Sequence, residues 1–142
     1  MKKVYALIVS AMLGLVLMGC QSADPVKTPN SVEKVTGTVS YRERIALSEG
    51  AVVTVTLQDV SLADAPAKVI AKHRFETNGQ QVPFDFDLAY HTAKIDARHR
   101  YSVSARIEVN GSLRFITDIS YPVITDPNNT DHVDLRLIGV GQ

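Results

Sequence analysis

From Glu33 onward the apolar residues recur at every second position. The pattern is clearest where Tyr101, Val103, Ala105, Ile107 and Val109 alternate with Ser102, Ser104, Arg106 and Glu108. A period of two puts one set on each side of an extended strand. The same phase runs through Val35–Tyr41, Val53–Leu57, Val69–Phe75, Val82–Leu88, Leu113–Thr117 and Val133–Leu137. Turn chemistry separates the runs. Asn110-Gly111 fits a type I′ hairpin, in which both central residues need positive φ. Asn78-Gly79 and Asp126-Pro127-Asn128-Asn129 are further breaks, and Ser61–Ala67 reads as a loop carrying Pro66. Tyr90–Arg98 has room for one helical turn, and no long amphipathic helix appears. The expected fold is all-β: a seven-stranded antiparallel β-sandwich, Ig-like or prealbumin-like, with Ile107 and Phe84 in its core.

The N-terminus carries a different signal. Lys2 and Lys3 precede an apolar run from Val4 to Met18. Fifteen helical residues rise about 22 Å, short of the roughly 30 Å hydrocarbon core, so the run reads as an export signal. It ends in Leu17-Met18-Gly19-Cys20, a bacterial lipobox. Leu17 and Gly19 are the positions signal peptidase II reads. Cys20, the only cysteine, is the expected site of a diacylglycerol thioether and, after cleavage, of N-acylation. Acyl chains contribute about 0.8 kcal/mol per buried CH₂, so two or three anchor a protein stably. Gln21, where Asp would favour the inner membrane, directs the lipoprotein sorting machinery to the outer membrane, with the domain in the periplasm. The expected organisation is residues 1–19 signal peptide, 20–31 lipidated N-terminus and tether, and 32–142 β domain. The tether, rich in Pro and small polar residues, has linker composition.

The runs VTGTVSYRERIAL, GAVVTVTLQDVSLADAPAKVIAKHRF and VPFDFDLAYHTAKIDARHRYSVSARIEVNGSLRFITD resemble the YbaY/YscW family of lipoproteins. The likeness extends from Val35 to Asp118 and includes the lipobox. It departs at Ser48-Glu49 and His91-Thr92, both turn positions. The resemblance implies a pilotin-like lipoprotein chaperone that brings a secretin to the outer membrane. The YbaY branch, to which this chain looks closer, implies as the alternative a role in glycoprotein or polysaccharide metabolism, or glycan binding.

The residues themselves point away from catalysis. His73, His91, His99 and His132 show no zinc-ligand spacing. There is no G-x-S-x-G elbow. Asp85 and Asp87 share an outward strand face, where carboxylates are ordinarily solvated. Neither an enzyme, nor a metal site, nor a cofactor beyond the lipid on Cys20 is expected. A formal net charge of zero provides no footprint for nucleic acid. With no Trp and most Phe and Tyr in the inward phase, a glycan platform is disfavoured. A protein-binding module is the leading reading. Ile70, Ile116 and Ile138 fall on outward positions among Lys72, Arg74, Arg114, Asp118, Asp134 and Arg136. Gathered together they would form an apolar patch framed by charge, suited to a secretin or other envelope client.

Overall fold

A computed structural model describes residues 30–141. The signal peptide, Leu17, Gly19, Cys20, Gln21 and nearly all of the tether lie outside the described residues.

Among the described residues eight strands form: β1 (Val32–Tyr41), β2 (Ala51–Asp59), β3 (Lys68–Glu76), β4 (Phe84–His91), β5 (Tyr101–Val109), β6 (Ser112–Thr117), β7 (Tyr121–Val123) and β8 (His132–Gly139). A single 3-10 turn, Thr92–Lys94, lies in the stretch expected to hold one. The all-β expectation holds, but the sandwich does not. The strands make one sheet in the order β3-β2-β5-β6-β8-β1-β4, with β7 extending the lane of β6 along β5. All pairings are antiparallel except β1 with β8, which is parallel. The two end strands, β3 and β4, face each other across a seam. There the backbone N–H of Asp87 donates to Nδ1 of His73 at 3.3 Å. The rings of Phe75 and Phe84 meet edge to face at 6.0 Å. The sheet is therefore a nearly closed barrel around one core.

Its curvature has local causes. The β2–β3 ladder shifts register between Leu57 and Gln58, and the β5–β6 ladder between Ile107 and Glu108. Each bulge bends its strand and adds right-handed twist. The extra strand, β7, is three residues long and contains Pro122, too short to show a period.

Inward residues from seven strands fill the barrel. Val35, Val53, Val55, Leu57, Val103, Ile107, Val123 and Leu135 are completely buried, and Phe84 is nearly so. Tyr41 stacks on Phe115, centroids 4.0 Å apart, near the end where Leu47 is tucked in. Gln81 clasps that end: its Oε1 accepts from the Leu47 N–H at 2.7 Å and its Nε2 donates to the Leu47 carbonyl at 3.1 Å. The Asn110-Gly111 hairpin forms as expected, with φ of 50° and 78°.

Candidate functional site

The outward wall of the barrel is not uniformly convex. Thr54 and Thr56 on β2 and Ser102 on β5 point away from the core yet are 8–9% exposed. Thr54 and Thr56 are shielded because the twisted sheet forms a trough there, and Ser102 is covered by Ser120, whose hydroxyl donates to it at 3.4 Å. One depression, about 340 Å³, has Thr54, Thr56 and Ser104 in its floor, with Val69, Lys72, Arg106 and Ile116 around it. A second, about 310 Å³, is lined by Arg42, Asp118, Ile119, Arg136 and Ile138. Ile116 and Ile138 are directly paired across β6 and β8 and link the two depressions. Arg106 lies opposite Ile116 on the other side. Across β5, β6 and β8 the surface therefore presents one cation and two isoleucines in a row.

The candidate residues distribute unevenly over this wall. Ile116, Ile138 and Arg136 come together, and Arg74 stands at the far rim, paired with Thr54. Ile70 does not join them. It is the residue left over at the β3 bulge, where Leu57 pairs with Ala71 and Gln58 with Val69. The bulge flips the phase, so Ile70 packs against the core and Val69, expected inward, is 48% exposed. Arg114 also lies apart. It is left over at the β6 bulge and lines a different depression with Glu43 and Ile45. The same bulge turns Leu113, expected inward, toward solvent. Lys72 joins the wall as expected, while Val69, Arg106 and Ile119 belong to it without having been singled out from sequence. Ile119 lies two residues beyond the end of β6 and carries no periodic signal.

The titratable groups serve structure. Asp59 Oδ1 accepts from the Ser61 hydroxyl at 2.6 Å and from the Ser61 N–H at 3.0 Å, while Oδ2 accepts from His99 Nδ1 at 2.7 Å. The trio contains the residue types of a hydrolase, but the carboxylate stands in the middle. The serine proton points to Asp59, and no imidazole is placed to remove it. Asp96 is held below the usual carboxylate range by Arg98, which donates from Nε at 3.1 Å, from Nη2 at 2.9 Å and from its backbone N–H. Burial, together with the Glu33 carboxylate at 3.1 Å, raises the Tyr90 phenol. His73 is an edge imidazole at the seam, and His132 bonds Thr36. Asp85 and Asp87 are exposed on the outer face of β4. Among the described residues no three His, Cys, Asp or Glu side chains gather in a way that would hold a metal ion.

Asp59, Asp96 and Asp126 are all held below the usual carboxylate range and all contribute to the acid limb of stability. Asp59 titrates at about 2, chiefly because the Ser61 hydroxyl donates to its carboxylate, with help from the Ser61 N–H and His99. Its folded value lies below its unfolded one, so its contribution is complete above pH ~4 and is lost as pH falls toward 2. Asp59→Asn is expected to flatten the fall in urea midpoint between those pH values, measured by circular dichroism. An undiminished fall would assign the acid limb to other carboxylates.

With this geometry in place, the likeness to known proteins is specific. The family described as type III secretion system lipoprotein chaperone (YscW) matches residues 30–137. The uncharacterized lipoprotein YbaY of Escherichia coli strain K12 is 44% identical over 117 residues. That alignment covers 82% of this chain and 58% of the relative, so the chain spans little more than half of that protein's length. Among solved structures, an alternative pilotin from the type II secretion system of Vibrio cholerae matches with a TM-score of 0.77 at 67% identity. The match covers 79% of this chain and all of that one. On the extent of the family match and the closeness of these relatives, the chain belongs to the YscW family of secretion-system lipoprotein chaperones.

Proposed function

We propose that this protein is a pilotin-like lipoprotein, anchored in the outer membrane through Cys20, that holds the C-terminal segment of a secretin against the outer wall of its barrel. The observation that carries the reading is the paired Ile116 and Ile138 beside Arg106 and Arg136, on a wall recessed enough to seat a helix. From β3 to β8 the trough crosses five strands, about 19 Å at the usual interstrand spacing, which matches a helix of about 13 residues. Apolar anchors at Val69, Ile116, Ile138 and Ile119, with Lys72, Arg106 and Arg136 between them, suit an amphipathic helix with acidic flanks. The 67% identity to a type II secretion pilotin supports the same class of client. A glycan is less well served: every Phe and Tyr among the described residues is buried or half-buried, so no aromatic platform stands open beside the hydroxyls. The reading involves no chemical step.

The test is a titration of the purified domain with a synthetic peptide spanning the secretin C-terminus. Ile116→Asp and Ile138→Asp are each expected to weaken binding by about thirtyfold or more, the loss of an interface anchor of ~2 kcal/mol. Ile70→Val, a conservative change on the core side, should leave affinity unchanged. Folded Asp variants that bind like the parent would remove the wall as the site and favour strand addition at the β3 or β4 edge.

A further inference from the structure

The loop between β2 and β3 is a second apolar surface, unrelated to the trough. Among the described residues Leu62 is the most exposed large hydrophobic side chain, at 73%. Ala63, Ala65, Pro66 and Ala67 are exposed beside it. The base of the loop is rigid. Ser61 is fixed to Asp59, its Oγ accepts the Arg100 N–H at 2.8 Å, and the Val60 N–H donates to the Arg100 carbonyl at 2.9 Å. Leu62 is therefore held out from a fixed frame.

The position of this loop gives it meaning. The chain enters the barrel at Ser31, whose carbonyl accepts the Thr92 N–H at 2.9 Å just beyond the end of β4. Across the seam β3 and β4 run antiparallel, with His73 level with Asp87. The start of β3 at Lys68 is consequently level with Thr92, and loop 61–67 shares the end of the barrel at which the chain enters. The Asn110-Gly111 hairpin is at the other end, about 30 Å away along β5. Cys20 precedes the described chain by about ten residues, a reach of at most ~35 Å.

Resting on the anchoring part of the proposed function, we infer that loop 61–67 beds into the headgroup region of the bilayer, with Leu62 at the acyl boundary. The occupant of this surface is lipid, because the chain that leads to the anchor enters the barrel at the end that carries the loop. The contact is apolar rather than electrostatic. Among the described residues Lys34, Lys68, Lys94, Arg98 and Arg100 at this end are matched by Glu33, Asp59, Asp64, Asp96, Asp126 and Asp131, so these residues offer no cationic excess to attract anionic lipid. The barrel then stands on its end, and Ile116, Ile138 and Arg136 on its side wall stay clear of the membrane, with Val69 of the trough near the loop.

The experiment uses the mature lipidated protein, reconstituted in vesicles of phosphatidylethanolamine and phosphatidylglycerol and in vesicles of phosphatidylcholine. A polarity-sensitive dye is attached after Leu62→Cys or, at the opposite end, after Ser112→Cys. The Leu62 site is expected to shift to the blue and to be quenched severalfold by nitroxide lipids, as for a group about 5–10 Å below the headgroups. The effect should be equal in both vesicle types and insensitive to salt, and the Ser112 site should show neither change. If the protein floats with the vesicles but nitroxide lipids do not reach the Leu62 site, the orientation is wrong and the loop is free for a protein contact. If the protein does not float at all, the anchor reading fails and this inference fails with it.

Discussion

Gly37→Ala is expected to leave the domain unfolded, or to lower its stability by about 4 kcal/mol or more, out of a typical total of about 5–15 kcal/mol. Gly37 sits in β1 where the strand pairs with β4 on one side and, in parallel, with β8 on the other. A Cβ there would lie 1.7 Å from the carbonyl oxygen of Val133, 2.7 Å from its carbonyl carbon and 3.0 Å from Cζ of Phe86. The first two atoms are backbone, committed to the ladder that holds the parallel pair, so no rotamer change relieves the clash. Gly111 is the contrasting case. A Cβ there meets nothing within 4 Å, and only its positive φ of 78° resists substitution. Gly111→Ala should therefore cost about 1 kcal/mol. Urea denaturation followed by circular dichroism separates the two. Equal midpoints would mean that β1 and β8 do not approach as closely as described.

The second large effect is expected at Ile107. Its side chain is completely buried in the second half of β5, opposite Val53 on β2 and Phe115 on β6. Ile107→Ala leaves a cavity between these neighbours and should cost about 2–5 kcal/mol. Arg106, adjacent in sequence, faces outward, and its pairing with Glu108 at 3.2 Å is exposed. Arg106→Ala should change stability by less than about 1 kcal/mol. A lowered midpoint at unchanged slope for the first, and little change for the second, confirms the facing of β5. Comparable losses at both positions would mean that β5 is turned over.

Those facings show how far the sequence could be read. Alternation alone placed the core of β1, β2, β4, β5 and β8, and Asn110-Gly111 marked the hairpin that pairs β5 with β6. What failed was the phase beyond each bulge. A two-residue turn at 110–111 with unbroken register would set Ile107 opposite Arg114 and Arg106 opposite Phe115. Directly paired residues share a face, so a core residue, Ile107 or Phe115, would twice share its face with an outward arginine. That conflict is a bulge signal already present in the sequence. The bulge resolves it by leaving Arg114 unpaired and bringing Arg106 opposite Ile116, which creates half of the candidate site. At β3 the signal is weaker. Val69-Ile70-Ala71 is apolar throughout, either phase satisfies the pattern, and only the pairing with β2 selects Ile70 for the core.

The barrel itself was less legible. Seven half-buried strands fit two stacked sheets or one curled sheet equally well, because both bury one face of every strand. The choice depends on twist introduced at the bulges and on the close parallel approach at Gly37. Neither leaves a periodic trace. The outer trough is a consequence of that curvature, so in sequence Thr54 and Thr56 read as ordinary solvated residues.

The most direct test of the central proposal is a map of backbone amide shifts by nuclear magnetic resonance, recorded as the isotope-labelled domain is titrated with the secretin C-terminal peptide. The account predicts changes confined to β5, β6 and β8 around Arg106, Ile116, Arg136 and Ile138, extending through Ile119 and across β2 to Val69. Changes along the seam at His73 and Asp87, or a spectrum unmoved by the peptide, would contradict it.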